Sequence, residues 1–436
     1  MRKLDLHWKI LIGMVLGIIF GFIAAELNWN QFVINWIKPF GTVFINMLKM
    51  IAVPLIIVSL ITGIAELKDI SRISKMGGKT IFLYLVTTMF AVSVGLILAN
   101  VIKPGNFIDE AARDQLMAQY TTDAGSKIQE AQMQKEQGPL QPIVDIVPDN
   151  FFSALTDNGK MLQVIFFSIL IGIGLILIPE EKAKPVTSFF VGFNEVILKI
   201  IDITMLLAPI GVFALLSAIL VEIPSFSVLQ ALLVYAFTVI AGLLILILIF
   251  YSSLVTFITK NSYFSFLRAI APAQLVAFST SSSAATLPVT MERVTEHLGV
   301  DEEVSSFVLP LGATINMDGT SLYQSVAAIF IAQAFGMNLD LPTQLMIIIT
   351  ATLASIGSAA VPSAGMVMLV IVLGQAGIPE AGLALIFAID RPLDMCRTVV
   401  NITSDATVAT IIAKTEGLLN NPKVKNWDDH YPTNNG

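Results

Sequence analysis

The side chains with the greatest potential for chemistry lie in a short segment near the C-terminal end of the chain. Its polar members are spaced three or four positions apart: Asp394, Arg397, Thr398, Asn401 and Asp405. On a helix this spacing places them within about 60° either side of one face. An ionised group at the centre of a bilayer costs roughly 2.5–3.5 kcal/mol on insertion scales. In a segment otherwise rich in apolar residues, this face must therefore meet protein, water or a ligand, and it is the first candidate binding site.

A second polar motif, Thr-Ile-Asn-Met-Asp-Gly-Thr, occupies residues 314–320. On an unbroken helix Asn316 and Asp318 would point about 200° apart. We expect Gly319 to permit a local unwinding that brings both side chains and freed carbonyl groups together. Hard cations such as sodium favour these oxygen ligands. The alternative is an aspartate that is hydrogen-bonded within a core.

Composition excludes several other kinds of chemistry. The chain has 436 residues, 55% of them hydrophobic and 13% charged, whereas soluble domains carry about 25% charged residues. This composition indicates a membrane protein. A single cysteine, Cys396, rules out an internal disulfide or a cysteine metal cluster. The three histidines share no metal-site or catalytic-triad spacing, and a net charge of −7 without a basic stripe speaks against nucleic-acid binding.

An enzymatic role is the weakest of the functions that we weighed. An intramembrane aspartyl protease could use Asp318 with Asp394 or Asp405. It would leave the other oxygen-bearing side chains of both motifs without a role, so we expect no catalysis.

The first part of the chain supplies six apolar segments long enough to span a bilayer, which takes about 20 residues. They lie near residues 8–25, 40–65, 80–102, 151–178, 190–221 and 228–258. Kinks are expected at Pro54 and Pro209. The polar stretch 103–145 is expected to be a loop outside the cell, and basic residues at alternate segment ends place both chain termini in the cytoplasm. The N-terminal segment lacks a small-residue cleavage pattern and is expected to be a retained first span.

After residue 260 two apolar segments are interrupted by small and hydroxyl residues, at 279–288 and 354–365. Their arms are too short or broken for full spans, so we predict two helical hairpins that enter the membrane and return. Each hairpin precedes one of the polar motifs, and Asn316-Met-Asp-Gly-Thr aligns with Asp394-Met-Cys-Arg-Thr. Paired broken segments of this kind indicate a transporter with a binding site at mid-membrane. The alternative is that the small residues merely allow close helix packing.

With these motifs the chain resembles the dicarboxylate/amino acid:cation symporter family, the glutamate and aspartate transporters. The most specific features are the serine-rich first hairpin, the Asn-Met-Asp-Gly-Thr motif, the Gly/Ala/Pro-rich second hairpin and the 394–405 pattern. The resemblance implies an all-α membrane protein with eight transmembrane helices and two re-entrant hairpins in inverted repeats. It also implies a homotrimer in the plasma or inner membrane, in which a transport domain moves like an elevator against a scaffold.

The resemblance also suggests a division of the chain. Scaffold helices 1 and 2 would occupy residues 1–78, helices 3 and 4 with the insertion 103–145 would occupy 79–186, and helices 5 and 6 would occupy 187–260. The transport core of hairpin 1, helix 7, hairpin 2 and helix 8 would span 261–418, followed by a cytoplasmic tail, 419–436.

For the substrate, the resemblance places Arg397 against a side-chain carboxylate, a role that suits the bidentate guanidinium. Asp394 would face the substrate amine and Asn401 the α-carboxylate. Hairpin 2 would be the outer gate, and Met317 would link the substrate and ion sites unless it is simple filler. The remaining substrate-pocket residues would be Thr398, Thr320, Ser282, Ser283, Val361 and Gly365.

For sodium, the resemblance implies three groups of ligands. The first is Asp405 with Asn401, Asn316 and the Gly312 carbonyl; the second is Asp318 with Thr87, Thr88 and Tyr84; the third comprises carbonyl groups near Thr314, Ser355, Ile356 and Ser358. Thr87, Thr88 and Tyr84 could instead be ordinary helix-interface hydroxyls, and the two serines could only soften the hairpin tip.

The chain departs from the family at two positions where relatives carry an arginine, Ser281 and Met395. In the family that arginine helps to balance the aspartate that matches Asp394. We hypothesise that Arg391 substitutes for it, the alternative being an arginine at the aqueous end of the helix. Gln324 stands where proton-coupled animal members have a glutamate, and it cannot carry a proton at ordinary pH.

The resulting expectation is a symporter that imports aspartate or glutamate with sodium. Uptake of C4-dicarboxylates such as succinate is the nearest rival, and Asp394 argues against it because a dianion has no amine for this carboxylate. An anion channel is the other alternative.

Overall fold

The computed structural model describes residues 6–66, 74–119, 147–156, 161–222, 226–260, 262–356 and 364–422. These residues are mostly helical, as the sequence predicts. The extended pairing found within these ranges is one isolated bridge between Val300 and Leu419. Val361 and Ser358, two of the predicted site residues, lie outside the described residues.

The helices of the first part of the chain follow the predicted apolar segments. They are α1 (Leu6–Glu26), α2 (Lys38–Glu66), α3 (Ser74–Ile102), α4 (Glu110–Gln119), α5 (Met161–Leu177), α6 (Glu180–Leu206), α7 (Ala208–Glu222), α8 (Phe226–Leu244) and α9 (Ser252–Thr259). A π-helical turn, Ile245–Tyr251, joins α8 to α9. Shorter helical turns at Asn30–Phe32 and Val33–Ile37 precede α2, and Phe151–Ala154 precedes α5.

Three details of this part bear on the sequence-based expectations. The polar stretch 103–145 begins with a 3-10 turn, Pro104–Phe107, and with helix α4, instead of an irregular loop. Asp109 caps α4, because its Oδ1 accepts a hydrogen bond of 2.7 Å from the amide of Ala112. The fifth apolar segment is divided at Leu207 into α6 and α7, two residues before Pro209, where a break was expected. By contrast, α2 continues as one helix through Pro54.

The outer surface is compatible with a membrane. Two stretches of the described chain, Met76–Phe107 and Phe226–Thr259, are long and apolar enough to cross a bilayer by length and composition. Large apolar side chains such as Phe82, Leu233 and Phe237 are about two-thirds exposed. Exposed apolar surface of this extent is typical of a face that contacts lipid or another protein.

The second part of the chain contains both predicted hairpin regions. Helices α10 (Tyr263–Thr280) and α11 (Ser283–Glu292) pack against each other around a turn at Ser281 and Ser282, and α11 continues into a π-helical turn, Arg293–His297. Helices α14 (Leu341–Ile356) and α15 (Ala364–Gln375) also pack together, on either side of residues 357–363. That the hairpins turn back inside the membrane stays a prediction.

Each hairpin region is followed by helices that carry a polar motif. Helices α12 (Glu302–Ile315) and α13 (Asp318–Ala334) are separated at Asn316 and Met317, and α16 (Leu383–Glu416) is a single helix of 34 residues. The packing partners of α16 include α10, α12 and α13. The polar face of α16 therefore lies inside a bundle made from both motifs and the first hairpin.

Candidate functional site

The polar face predicted from the sequence is buried along α16. Its five members, Asp394, Arg397, Thr398, Asn401 and Asp405, each expose 6% or less of their surface. The expectation that this face meets protein or ligand instead of lipid is confirmed. Charges at such positions are stabilised only by partners close at hand.

Arg397 is the central cation of the first part of the site. Its Nη2 lies 2.7 Å from Asp394 Oδ1 and 3.1 Å from Asp390 Oδ1. The guanidinium carbon lies 3.8 Å from the centroid of the Tyr323 ring, a distance typical of a cation–π contact. Its Nε and Nη1 are buried and form no hydrogen bond with any described residue. Arg397 therefore retains two donor groups from which a ligand can accept hydrogen bonds.

Arg391 is a second guanidinium beside the same aspartate. Its Nη1 lies 3.1 Å from Asp394 Oδ2, and Arg391 is only 9% exposed. The two oxygens of Asp394 are thus each engaged by a different arginine. Arg391 is not at an aqueous helix end, so that alternative is wrong. At the two positions where the chain was expected to depart from the family, Ser281 is buried and Met395 is half-buried.

Asn401 connects α16 to the motif on α13. Its Oδ1 accepts a hydrogen bond of 2.8 Å from the amide of Gly319. Its Nδ2 lies 3.2 Å from the sulfur of Met317 and 3.4 Å from Thr320 Oγ1. Thr398 donates from Oγ1 to the Asp394 carbonyl oxygen at 2.9 Å within its own helix.

Gly319 has a different role from the one that the sequence predicts. The chain unwinds at Asn316 and Met317, whereas Gly319 already belongs to α13. A Cβ at position 319 would overlap the Arg397 carbonyl oxygen and lie 2.9 Å from Val400 Cβ. The glycine is thus required for the close approach of α13 to α16, and not for unwinding.

The hairpins contribute the outer parts of this site. A Cβ at Gly365 of α15 would lie 2.8 Å from Thr320 Cγ2 and 3.5 Å from Arg397 Nη1, so the second hairpin reaches the free side of the guanidinium. Gln324 donates from Nε2 to the Gly365 carbonyl oxygen at 3.4 Å. In the first hairpin Ser282 and Ser283 are buried, and Ser282 caps α11.

A second cluster surrounds Asp318, which is completely buried. Its Oδ1 accepts a hydrogen bond of 2.6 Å from Thr88 Oγ1. Its Oδ2 accepts one of 2.6 Å from the Tyr251 hydroxyl and one of 2.7 Å from Ser404 Oγ. Asn316 donates from Nδ2 to the same Ser404 oxygen at 3.0 Å. The prediction that a helix break brings Asn316 and Asp318 to one site is confirmed.

Asp405 is the second carboxylate of this cluster. Its Oδ1 accepts a hydrogen bond of 2.8 Å from Asn316 Nδ2. A Cβ at Gly312 would overlap that same carboxylate oxygen and lie 2.5 Å from the Tyr84 hydroxyl. The α12 backbone thus approaches Asp405 closely at Gly312, the position whose carbonyl is a predicted sodium ligand.

In the described part of the chain no basic side chain balances the charges of this second cluster. Within the described ranges neither Asp318 nor Asp405 forms an ion pair with a basic side chain. The Asn316 Oδ1 atom is buried and accepts no hydrogen bond from a described residue. Burying two unpaired carboxylates is costly. The donor set, which consists of oxygen atoms, fits a hard cation such as sodium.

The other predicted sodium residues divide into two groups. Tyr84 donates to the Val308 carbonyl oxygen at 2.9 Å. Thr87 donates to the Tyr84 carbonyl oxygen at 3.1 Å, and its hydroxyl also lies beside Asp318. Ser355 accepts a hydrogen bond of 2.9 Å from the Met317 amide and donates to the Ile315 carbonyl oxygen at 3.2 Å. The second hairpin is therefore fastened to the helix break.

Two predicted residues show no contact with the carboxylates. Thr314 is half-buried and donates to the Leu311 carbonyl oxygen within α12 at 2.8 Å. Ile356, at the end of α14, is half-buried among apolar side chains. Their suggested roles as carbonyl ligands stay predictions.

Four residues of the site were missed from the sequence: Tyr251, Ser404, Asp390 and Tyr323. Tyr251 is a polar aromatic residue in an otherwise apolar run, and Ser404 follows Asn401 by three positions on the polar face. Asp390 precedes Asp394 by one helical turn. These three features could have identified Tyr251, Ser404 and Asp390, whereas none of them applies to Tyr323.

Comparison with known proteins identifies the family of this chain. The family model described as the sodium:dicarboxylate symporter family matches residues 6–415. The chain belongs to the sodium:dicarboxylate symporter family. The family predicted from the motifs is confirmed, and membership makes the protein a membrane-resident member of a transporter family.

Several curated relatives of this symporter family member match it over nearly its whole length. It is 37% identical over 437 residues to a proton/sodium-glutamate symport protein of Geobacillus stearothermophilus, covering 98% of each chain. It is 36% identical over 435 residues to the proton/glutamate-aspartate symporter of Escherichia coli, covering 97% of this chain and 95% of the relative. It is 33% identical over 452 residues to human excitatory amino acid transporter 5, covering 92% and 80%.

Proposed function

We propose that this symporter imports aspartate or glutamate across the plasma or inner membrane, driven by sodium that moves inward with it. The observation that carries this proposal is the pairing of Arg397 with Asp394 at 2.7 Å in a buried site. A guanidinium beside a carboxylate matches the carboxylate and ammonium groups of an acidic amino acid. The names of the relatives in Geobacillus and Escherichia, which specify glutamate or aspartate, point the same way.

Binding would rearrange the ion pairs around Arg397. Arg397 Nη1, which forms no hydrogen bond with a described residue, would take the side-chain carboxylate together with Nη2 in a bidentate contact. Asp394 Oδ1, now held by Arg397 Nη2 at 2.7 Å, would accept the substrate ammonium. Asn401 and Thr398 would contact the α-carboxylate end, and hairpin 2 at Gly365 would close over the ligand.

Sodium would supply the positive charge that the second cluster lacks. The groups that would bind the sodium ion are the carboxylates of Asp318 and Asp405 and the side-chain oxygen Oδ1 of Asn316. Met317 lies between the clusters, with its sulfur at 3.2 Å from Asn401 and its amide bonded to Ser355. Ordering of this break by sodium would therefore order the substrate pocket, which gives a physical basis for coupling.

Transport of C4-dicarboxylates is the second candidate function. One observation supports this candidate more than the sequence did. Arg391 engages Asp394 Oδ2 at 3.1 Å. Asp394 would therefore keep a positively charged partner even when the bound ligand has no amine. We still favour acidic amino acids, because Asp394 Oδ1 would lose Arg397 on binding and a dicarboxylate offers no donor in its place.

Proton coupling is a further candidate, because the Geobacillus relative is named a proton/sodium-glutamate symport protein and the Escherichia relative a proton/glutamate-aspartate symporter. Gln324 of this chain cannot exchange a proton at ordinary pH. We propose sodium coupling without proton transport by this residue. Transport as a homotrimer by an elevator movement, with both chain termini in the cytoplasm, completes the proposal.

The test is a thermal-shift panel on the purified protein with aspartate, glutamate, succinate and serine, each with sodium or with choline. A ligand at 100 times its Kd stabilises the folded state by about 2.7 kcal/mol. We expect aspartate or glutamate to raise the melting temperature in sodium and to have little effect in choline. Stabilisation by succinate but not by aspartate would reject the amino-acid assignment.

Uptake into proteoliposomes then separates transport from other activities. A sodium gradient should drive accumulation of the stabilising amino acid, whereas a pH gradient in sodium-free vesicles should not. Uptake driven by the pH gradient alone would contradict the sodium proposal. Substrate-gated current without accumulation would indicate an anion channel.

A further inference from the structure

Helices α8 and α9 form one continuous helix that is interrupted by a π-helical turn beside the Asp318 cluster. Residues Ile245–Tyr251 form a π-helical turn between two α-helical segments. Ser252 donates from Oγ to the Ile247 carbonyl oxygen, five positions earlier, at 2.7 Å, as expected for the wider turn. One extra residue in a helix rotates the side chains that follow by about 100° relative to those before it. The π turn thus sets the direction of Tyr251.

Tyr251 points into the protein and reaches Asp318. The residue is completely buried, and its hydroxyl donates to Asp318 Oδ2 at 2.6 Å. The adjacent Phe250 stacks on Phe90 of α3, with ring centroids 3.9 Å apart and an interplanar angle of 17°. The register of this helix is therefore fixed from both sides, by a ring contact to α3 and by a hydrogen bond to α13.

The three hydroxyl groups that donate to Asp318 at 2.6–2.7 Å differ chemically. Those of Thr88 and Ser404 are aliphatic, so each can rotate and present a lone pair to a cation in place of its hydrogen. The hydroxyl of Tyr251 is phenolic, prefers the plane of its ring and is a stronger donor. When a cation arrives, Thr88 and Ser404 can turn from donors into ligands, whereas Tyr251 continues to donate.

We propose that Tyr251 is a positioning residue for the sodium site. Its hydroxyl holds Oδ2 of Asp318, so that Oδ1 of the same carboxylate faces the ion. In this way the helix formed by α8 and α9 contributes to sodium affinity without touching the substrate. The inference rests on the proposed sodium coupling and adds a residue from an element that the sequence motifs do not include.

The experiment is a sodium titration of the substrate-free protein in a choline background, followed by thermal shift. Tyr251→Phe removes one oxygen atom and keeps the ring. We expect its apparent sodium Kd to rise about tenfold, equivalent to about 1.4 kcal/mol. The Kd for the amino-acid substrate at saturating sodium should stay within about twofold of the wild-type value, because the Tyr251 hydroxyl affects substrate binding only through the sodium ion.

Tyr263→Phe is the matched control. Its hydroxyl donates to the Leu248 carbonyl oxygen at 2.7 Å, in the same π turn but at an exposed position. The same deletion there should leave the sodium Kd unchanged. A Tyr251→Phe protein with the wild-type sodium Kd would overturn the inference. So would a loss of substrate affinity that persists at saturating sodium, since that would indicate a general packing defect.

A second pair of variants covers the case in which Tyr251→Phe does not fold. Tyr251→Gln and Tyr251→Leu have similar sizes, but only glutamine offers an N–H donor. We expect the glutamine variant to bind sodium several-fold more tightly than the leucine variant, and equal Kd values would overturn the inference. If the wild-type protein itself shows no response to sodium, the proposed function fails, which is a different outcome.

Discussion

At the residue scale, the substrate part of the site is a set of four buried charges. Asp390 and Asp394 carry two negative charges, and Arg391 and Arg397 carry two positive ones, all of them 9% exposed or less. The cluster is therefore neutral when no ligand is bound. Neutrality matters because an uncompensated buried charge costs several kcal/mol. Arg391 supplies one half of the positive charge and is held at 3.1 Å from Asp394.

This arrangement leads to a prediction for Arg391. Arg391→Ala leaves the cluster with a net negative charge, so we expect the affinity for aspartate to fall by about 10- to 100-fold, or about 1.4–2.8 kcal/mol. Arg391→Lys keeps the charge and should lose less. Isothermal titration calorimetry at saturating sodium measures both. The control is Arg268→Ala, which removes an exposed arginine, and unchanged aspartate affinity in Arg391→Ala would disprove the role of this residue.

At the element scale, the distance between α13 and α16 is set by one glycine. Gly319 leaves no room for a Cβ against the Arg397 carbonyl oxygen, and its amide bonds to Asn401 at 2.8 Å. Asn401 and Arg397 belong to the substrate pocket, while the break before α13 forms part of the ion cluster. Both clusters therefore depend on this single helix contact.

Gly319→Ala is predicted to separate the two helices. Overpacking of this kind typically costs 1–3 kcal/mol, so we expect a lower melting temperature together with weaker binding of both sodium and substrate. Thermal shift and the sodium titration measure these effects. Gly192→Ala in α6 is the control, since a Cβ there meets nothing within 4 Å, and alanine favours a helix by about 1 kcal/mol over glycine. Normal binding in Gly319→Ala would show that the contact is not needed.

At the scale of the whole molecule, α3 is fastened to the predicted transport core at both of its ends. Lys79 near its start lies 2.5 Å from Glu416 at the end of α16. At the other end of α3, Gln333 of α13 donates to the Ala99 carbonyl oxygen in the last turn at 3.2 Å. It also accepts a hydrogen bond of 3.0 Å from the amide of Gly105, just past the helix. By contrast, α1 packs mainly on α7, and α2 packs on α5, α6 and α7. We infer that α3 moves with the core in an elevator movement.

Cross-linking tests this division in a Cys396→Ala background. Lys79→Cys with Glu416→Cys joins α3 to α16 at the position of an existing ion pair, and we expect transport to continue after cross-linking. Phe44→Cys with Phe387→Cys joins α2 to α16, because the Phe44 and Phe387 rings lie 4.6 Å apart. A short bifunctional methanethiosulfonate, whose disulfides a reductant cleaves, should abolish uptake by this variant. Uptake by proteoliposomes before and after reduction is the measurement. The reverse pattern would place α3 in the scaffold.

The sequence by itself determined the elements of the site. The polar face of α16 follows from its spacing of three and four residues, because periodicity along a helix is a local property. The interrupted segments of both hairpin regions and the need for a break near Asn316 are equally local. The absence of cysteine and histidine clusters directed the interpretation to oxygen ligands and a hard cation before any contact was known.

Only the tertiary structure decided which groups complete each cluster. Thr88 and Tyr251 reach Asp318 from positions 230 and 67 residues away in the chain, and no periodicity within one segment encodes such distances. Arg391 is buried because neighbouring helices cover its end of α16, and Gly319 is needed because α16 lies against it. These facts depend on how separate elements pack, so the physical information that fixes them is distributed over the whole chain.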